Sequence, residues 1–518
     1  MRKVILLCLL LLGTPLWAQQ PLPAYLPAGT LDVDGMHNLV LIYHGSKTRP
    51  VWDKPALLPY VAFVDEQGEP RDWLFDGFLF IEYTTDDGAY LQSYLKSKRL
   101  PTIADWVWLA DGWFRPESGL SGLEQAVAEA AGKLGVPDRR VQVVITMPAP
   151  FRVDRAFGPL PGATETLDFT LPRDRQRALK WYVDRVRAAF DDHRYRHLTL
   201  AGFYWSPESI RSEDRPLVAW TSGYLKGLGL NHYWIPYIGA TSIHDWRDLG
   251  FAGMMIQPNY FFPKQEPHVN RFQVTSKLAR LAGAGLEVEF DGRVLTSDEF
   301  RARMLAYFDA GAFYGWMGRA LLGYYEGGGA IAKLVKTPGR GRELYQKLYE
   351  FTKGTYQPSG LYDFTASPLV TRDNRDDLAL ATRGARVEGA ERRPEWGDDI
   401  GPEKIIDGDI DFYGGMSGFG AFGIPGDFIV ELPRLTQVAR TQTMFFDLDD
   451  RFYRYRVDTS VDKVRWVAAV DKAAGEWRGW QVDTFTPRQA RYVRLTVLYD
   501  SFDTIAQIVE FEIYSNPL

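Results

Sequence analysis

Three glutamates in two distant stretches of the sequence have the type and spacing that acid–base chemistry needs. Glu208 follows an apolar run directly, whereas Glu287 and Glu289 alternate with apolar residues in a second run, so that both point to the same side of a strand. A glycosidase holds two carboxyl groups across the scissile bond, about 5–5.5 Å apart for retention and about 6.5–9.5 Å apart for inversion. We therefore predict Glu208 as the acid/base and Glu289, nearer the end of its run, as the nucleophile, with Glu287 supporting it and retention favoured.

Each of these assignments has a plainer alternative. An acid placed like Glu208 is also favoured at the start of a helix, where the helix dipole stabilises negative charge. Glu287 and Glu289 also fit the solvated, outward face of a strand, because burying two acids is costly unless they are paired. Glu82 and Glu326 end apolar runs too, and would replace the first choices if the strands are miscounted.

Polar and aromatic residues that end or follow the apolar runs are predicted to bind substrate. Aromatic rings stack on the apolar face of a sugar, whereas amide and imidazole groups bind its hydroxyl groups. The predicted substrate-binding residues are Tyr43, His44, Glu82, Tyr204, Trp205, Tyr237, Gln257, Asn259, Tyr260, Glu287, Tyr325 and Glu326. For each single aromatic residue, packing in the core is the alternative.

The elements that must position these residues alternate between apolar runs and amphipathic stretches. Eight runs are predicted as strands: 38–44, 75–83, 141–147, 198–205, 232–239, 252–257, 285–290 and 320–325. Helical spacing between several of them predicts an α/β fold, a (β/α)8 TIM-like barrel over residues 30–355, in which the residues that follow the strands meet substrate. A doubly wound sheet is the alternative, but no glycine-rich phosphate turn follows the first strand.

The segments 39–45, 75–80, 202–205 and 286–291 resemble a family of secreted bacterial proteins known chiefly as a domain of unknown function. The resemblance implies a glycosidase-like barrel and supplies no substrate. In the largest clan of barrel glycosidases, the acid/base follows strand four and the nucleophile ends strand seven. Glu208 and Glu289 have these positions in the predicted strand order.

A second domain is predicted over 377–518, after a linker at 356–376, because short alternating runs of β-forming residues replace the helical pattern. We expect an all-β jelly-roll sandwich. The segments 377–381, 402–409, 490–497 and 508–514 resemble the coagulation-factor type C (discoidin, galactose-binding-like) domain. The resemblance implies carbohydrate binding and a structural calcium ion, with Asp407, Asp409 and Glu510 at the matching positions. A simple turn at 407–409 is the alternative.

The first 19 residues have the pattern of a secretory signal peptide, with cleavage near Ala18, which predicts a secreted or periplasmic protein. Cys8, the only cysteine, lies inside this segment, so disulfides and cysteine-ligated zinc are excluded from the mature chain. The net charge of −6 gives no reason to expect a nucleic-acid partner. No further apolar run is long enough for a membrane span. The oligomeric state is left open.

The predicted function is a secreted glycoside hydrolase that needs no cofactor for catalysis and acts on a polysaccharide or glycan. The first alternative is a non-catalytic glycan-binding protein with a degenerate barrel. The second is a polysaccharide lyase, which needs a tyrosine or histidine base near a cation. The predicted site residues include no such cation, so the lyase ranks last.

Overall fold

The fold is described by a computed structural model for residues 24–93, 95, 97–263, 269–364, 374–389, 401–408, 420–446, 451–502 and 504–517. The predicted signal peptide and Asp409 lie outside these residues. Within them, the chain forms a closed parallel barrel of eight strands and a separate antiparallel sheet. Among the described residues, no helix combines the length and apolar character needed to cross a bilayer.

The first part of the chain contains twelve described strands and nine described helices. The strands are β1 Asn38–Tyr43, β2 Ala62–Val64, β3 Pro70–Trp73, β4 Gly77–Ile81, β5 Val141–Met147, β6 Gly158–Pro159, β7 Thr166–Leu167, β8 Leu198–Trp205, β9 Asn231–Trp234, β10 Gly253–Ile256, β11 Gly285–Glu289 and β12 Leu322–Tyr325. The helices are α1 Lys54–Val61, α2 Ile103–Gly112, α3 Leu120–Lys133, α4 Pro172–His193, α5 Arg215–Gly227, α6 Asn270–Ala282, α7 Asp298–Tyr314, α8 Ala330–Lys336 and α9 Arg340–Thr352.

The barrel closes in the order β1, β4, β5, β8, β9, β10, β11 and β12, with β12 paired to β1. Each of the eight predicted runs overlaps one of these strands, so the predicted number and order of strands are confirmed. The runs could be recognised because these strands are buried on both faces and are therefore almost continuously apolar, as in β4 and β10. β8 is consequently the fourth strand of the barrel and β11 the seventh.

The second part of the chain forms one antiparallel sheet. Its strands are β13 Arg386–Glu388, β14 Gly420–Gly423, β15 Gly426–Phe445, β16 Tyr453–Ser460, β17 Val467–Trp477, β18 Trp480–Asp500 and β19 Ile505–Tyr514. They pair in the order β14-β19-β15-β18-β16-β17, and β13 pairs with β15. Alternate side chains of β15, β18 and β19 form a core of their own, which includes Phe428, Leu495 and Phe511.

The two parts of the chain contact each other through α6. Met444, Trp480 and Val509 of the antiparallel sheet pack with the barrel's apolar cluster. The ammonium group of Lys277, on α6, lies 3.8 Å from the centre of the Trp480 ring, a cation–π contact. Phe364, in the predicted linker, also packs against the barrel, on Tyr314. The domain bounds given above remain predictions.

Candidate active site

The C-terminal ends of the barrel strands bring three glutamates together. Glu208 follows β8 by three residues, and Glu287 and Glu289 lie on β11 with about 2% of each side chain exposed. Burial raises the pKa of both Glu287 and Glu289, and the charge of Glu208 raises each of them further, so the three carboxyl groups share one environment. We call this region the mouth and define it by Tyr43, Tyr204, Glu208, Glu287, Glu289 and Tyr325.

Glu289 is held by two hydrogen bonds to the same carboxyl oxygen. The backbone N–H of Asn259 donates to Oε2 at 2.7 Å, and the hydroxyl group of Tyr307, on α7, donates to it as well. Asn259 adopts a left-handed backbone conformation with φ of 54°, which asparagine tolerates better than most residues. Burial raises the pKa of Glu289 to about 7 despite these hydrogen bonds. This carboxyl group therefore gains and loses its proton near neutral pH.

Glu208 is only partly buried, and its surroundings fix its position. The side-chain amide of Gln92 donates to Oε1 of Glu208 at 3.2 Å, and the hydroxyl group of Tyr90 donates to Oε1 of Gln92 at 2.9 Å. The indole N–H of Trp234, at the end of β9, donates to the carbonyl oxygen of Pro207 at 2.9 Å. A fixed but accessible carboxyl group suits proton transfer to a bound substrate.

Tyrosine side chains surround the three glutamates. The rings of Tyr83 and Tyr325 pack edge-on against Tyr43, with centroids 5.9 and 5.7 Å away. The hydroxyl oxygens of Tyr83 and Tyr204 are 3.4 Å apart. Burial raises the pKa of Tyr325 to about 12 and those of Tyr43, Tyr83 and Tyr204 well above their usual value, so these hydroxyl groups keep their protons at neutral pH.

A cation missed by the sequence analysis lies at the edge of the mouth. The guanidinium of Arg49 lies 4.8 Å from the centre of the Tyr43 ring and donates to Oε1 of Glu82 at 2.8 Å. Glu82 also accepts the backbone N–H of Ser46 at 2.9 Å. The prediction that Glu82 binds substrate is therefore corrected, because its oxygens bind Arg49 and the backbone.

His44 and Trp205 point away from the mouth, and their predicted contacts with sugar are corrected. Successive side chains of a strand point to opposite faces, so each lies opposite its inward-facing neighbour, Tyr43 or Tyr204. The His44 ring contacts the carbonyl oxygen of Gly112 through Nε2 at 3.1 Å, and burial lowers the pKa of His44 to about 4. Trp205 is 4% exposed and packs edge-on against a buried histidine.

Two other predicted residues have structural roles instead. Tyr260 has no exposed surface, and its ring packs on Phe272 at 4.5 Å, so it offers no face to a sugar. Glu326 is 1% exposed and accepts the backbone N–H groups of Gly329 at 2.6 Å and Ile331 at 3.1 Å. It therefore caps the start of α8, where unpaired N–H groups favour a carboxylate.

Tyr237 and Gln257 lie side by side just after β9 and β10, the fifth and sixth strands of the barrel. Tyr237 pairs with Gln257 in an isolated parallel bridge, and its side chain is 37% exposed. The amide of Gln257 donates to the carbonyl oxygen of Ile235 at 2.9 Å. The exposed ring of Tyr237 is available for stacking, and the substrate contacts of these two residues remain predictions.

The predicted calcium site lies partly outside the described residues, since Asp409 is one of its three acids. Asp407 is 3.8 Å from the ammonium group of Lys404, and Glu510 is fully buried on β19. Within the described ranges, no group of three or more histidine, cysteine or acidic side chains is arranged to hold a metal ion. Calcium binding remains a prediction.

Two surface cavities lie away from the mouth. A groove of about 750 Å³ runs between α1 and the α8–α9 region, and Glu66 is the one carboxylate among its described lining residues. A cavity of about 300 Å³ lies at the N-terminal end of the barrel and includes His37 and Asp76. Neither combines two carboxyl groups with accessible rings, so the mouth is the better candidate for catalysis.

We expect Tyr307→Phe to lower activity at slightly acidic pH. The substitution removes the hydrogen bond from the Tyr307 hydroxyl group that lowers the pKa of Glu289. It also removes the oxygen that accepts the backbone N–H of Tyr260 at 3.0 Å. The acidic limb of the pH–rate profile should move to higher pH, and the free energy of unfolding should fall by about 1–3 kcal/mol. Tyr314→Phe, on the same helix but away from Glu289, is the control and should leave the profile unchanged.

Comparisons with known proteins cover different parts of the chain. A family model described as "Domain of unknown function (DUF4855)" matches residues 38–350. BTB/POZ domain-containing protein 9 of Homo sapiens is 28% identical over 167 residues, which cover 30% of this chain and 27% of that protein. The Bos taurus protein of the same name is 27% identical over the same length. The chain thus spans about a quarter of the length of these curated relatives.

Solved structures similar to this chain include carbohydrate-binding modules. Chitosan-binding module 1 of a chitosanase/glucanase from Paenibacillus sp. IK-5 is 23% identical, covers 27% of this chain and 98% of its own, and has a TM-score of 0.22. The CBM32 module of AlyQ in complex with 4,5-unsaturated mannuronic acid is 19% identical and covers 25% of this chain and 95% of its own, with a TM-score of 0.22.

Proposed function

This chain belongs to the DUF4855 family, a domain of unknown function, and from the mouth of its barrel we propose that it hydrolyses a glycosidic bond in a polysaccharide or glycan. The main support is the pairing of a buried carboxyl group on the seventh strand, Glu289, with an accessible one after the fourth strand, Glu208. Burial, and with it the charge of Glu208, raises the pKa of Glu289, as expected for two carboxyl groups of one site. Tyrosine rings around them offer apolar surface and hydroxyl donors to a sugar.

The proposed reaction uses the two carboxyl groups in different states. Ionised Glu289 attacks the anomeric carbon while Glu208 gives its proton to the departing glycosidic oxygen. Glu208 then removes a proton from water, which attacks the same carbon and releases Glu289. The hydrogen bonds from Asn259 and Tyr307 favour the ionised form of Glu289, in agreement with the role of nucleophile.

For the lyase alternative, the structure provides a cation near the mouth, Arg49, but no tyrosine among the mouth residues suited to act as the base. Arg49 lies beside Tyr43, as a lyase would need, yet its guanidinium is paired with Glu82. Burial also raises the pKa of Tyr43 well above its usual value, so this phenol does not ionise at neutral pH. These two observations favour hydrolysis over elimination.

Hydrolysis is tested by incubating the purified full-length chain with plant, host and bacterial glycans and measuring new reducing ends. We expect activity on at least one class of glycan and its loss in both Glu208→Gln and Glu289→Gln. Unchanged activity in both variants would contradict the assignment. Tight glycan binding by the mouth without any new reducing ends would instead support the non-catalytic alternative.

We also propose that the antiparallel domain is a jelly roll that binds the same polymer. Its support is an exposed aromatic cluster: Phe502 and Tyr499 are 66% and 41% exposed. The guanidinium of Arg451 lies 4.6 Å from the Phe502 ring centre, and that of Arg454 lies 4.8 Å from the Tyr499 ring centre. Exposed flat rings that neighbouring guanidinium groups hold in place suit stacking on a sugar.

We expect Phe502→Ala to weaken binding to insoluble or long glycans by about tenfold, because it removes the most exposed ring of the cluster. Affinity electrophoresis in gels that contain the polymer measures this effect. Hydrolysis of short soluble substrates should be unchanged. Val464→Ala, which alters another exposed apolar side chain of the same domain, is the control. Equal binding by both variants would refute the assignment of this cluster.

A further inference from the structure

Glu287 is a third carboxyl group of the mouth, and the two-carboxyl reaction does not use it. It lies on the same face of β11 as Glu289, two residues earlier and therefore deeper in the barrel. Its side chain is about 2% exposed, and its Oε1 atom has no hydrogen-bond partner among the described residues. A buried polar atom without a partner is uncommon and requires a physical explanation.

The barrel provides space for this side chain. Glu287 pairs with Gly323 on β12. A Cβ atom added at Gly323 would lie 3.5 Å from Cγ of Glu287 and 3.3 Å from Sδ of Met255. The side chain of Glu287 thus occupies room that a larger residue at position 323 would restrict, and its position is set by close packing.

The titratable groups that face Glu287 come from five elements of the barrel. They are Tyr43 of β1, Tyr204 of β8, Glu208 after β8, Glu289 of β11, Tyr307 of α7 and Tyr325 of β12. None of these groups is a cation. Arg49 is paired with Glu82, and the charge of Arg271 acts on Glu289. An ionised Glu287 would therefore face two other carboxyl groups and four phenols.

We propose that Glu287 is a substrate-binding residue that stays uncharged at neutral pH and donates a hydrogen bond from its carboxyl group to an oxygen of an uncharged sugar at the cleavage point. The inference rests on the proposed function. A protonated carboxyl group has one O–H donor and further acceptor capacity, so a sugar hydroxyl or acetamido oxygen would satisfy the buried group. A uronate would be repelled by the neighbouring carboxylates.

The electrostatic environment agrees with this geometry. Burial has the largest effect on the pKa of Glu287 and raises it well above its usual value. The charges of Glu289 and then Glu208 act in the same direction. A buried carboxylic acid kept neutral as a hydrogen-bond donor is an established device of enzyme sites. Glu289, with two hydrogen bonds that favour its ionised form, differs from Glu287 in this respect.

The protonation state is tested without any substrate. Infrared difference spectra of the unmodified full chain and Glu287→Gln at pH 7 should show that the substitution removes a protonated carboxyl band. Loss of a carboxylate band instead would overturn the proposal. If the variant fails to fold, carboxyl NMR of the unmodified protein with labelled glutamate answers the same question. Burial raises the pKa of both Glu289 and Glu326 to about 7, so one further resonance should keep its protonated position at a pH where those two have titrated. Titration of every glutamate at or below that pH would overturn the proposal.

Kinetics on the glycan found by the activity screen test the contact with substrate. Glu287→Gln keeps a hydrogen-bond donor and should retain kcat/KM within about tenfold, whereas Glu287→Met should raise KM by about 10- to 100-fold. Glu326→Gln, the same change at another buried carboxyl group outside the mouth, should leave KM unchanged. If Glu287→Gln is as inactive as Glu289→Gln, Glu287 is a charged reacting group and the proposal is wrong. Failure of the proposed function has a different signature, namely full activity of both Glu208→Gln and Glu289→Gln.

Discussion

Glu289→Gln is expected to stabilise the folded protein at pH 8 by on the order of 3 kcal/mol and to lower the rate of hydrolysis by on the order of 10³-fold or more. The reason is the pKa of Glu289, which burial raises from 4.5 to about 7 in the folded protein. A carboxyl group with a raised pKa contributes its full stability below pH 4.5, and that contribution is lost as the pH rises through about 7. Glutamine carries no charge, so the variant avoids this loss.

Denaturant unfolding at pH 4, 6 and 8 measures the difference between the two proteins. The free energy of unfolding should be nearly equal at pH 4, since Glu289 is protonated there in both folded and unfolded states. The variant should become the more stable protein as the pH rises above 4.5, and its advantage should reach nearly its full size by pH 8. Glu66→Gln, at an exposed position outside the mouth, should follow the unmodified protein at every pH. A difference of the same size at pH 4 and pH 8 would show that the effect does not come from titration.

Glu208→Gln is expected to lower kcat by about 10²- to 10⁴-fold on the natural glycan, because the leaving oxygen loses its proton donor. The deficit in kcat/KM, which reports the first step, should shrink for an aryl glycoside, because its leaving group departs without protonation. Removal of the nucleophile offers no such rescue, so Glu289→Gln should remain inactive on both substrates. The two variants thereby separate the roles assigned to the two glutamates.

Steady-state kinetics on one natural and one aryl substrate of the same sugar provide the measurement. Glu213→Gln, five residues beyond Glu208, is the matched control and should behave like the unmodified protein on both. Equal deficits of Glu208→Gln on the two substrates would argue against its role as acid. Rescue of Glu289→Gln by the aryl substrate would mean that the two roles are exchanged.

The residues missed by the sequence analysis share one property. They lie in loops, which have no hydrophobic periodicity, or on the outer helices, and their side chains extend from there to the mouth. Arg49 and Gln92 lie in loops, and Tyr307 lies on α7, eighteen residues after the carboxyl group that it binds. No local pattern connects such residues to a strand end. A tyrosine on an apolar helix is indistinguishable, in the sequence, from a core residue.

The errors have a different cause. Every strand of a parallel barrel has its inward-facing and outward-facing side chains buried, so the sequence shows no alternation of polar and apolar residues that would tell the two faces apart. His44 and Trp205 were therefore assigned to the mouth although they face the helices. Glu82 and Glu326 were misassigned because only their partners, a guanidinium and a helix start, show that their oxygens are occupied.

The sequence alone determined the barrel and the end of it at which the candidate carboxyl groups lie, since continuous apolar runs mark buried strands and the candidate acids end or follow those runs. Tertiary structure alone decided which acids meet, which are already paired and how their protons are held. Those properties depend on distance, burial and neighbouring charge, and residues 79 to 81 positions apart in the chain acquire them only when the strands close into a cylinder.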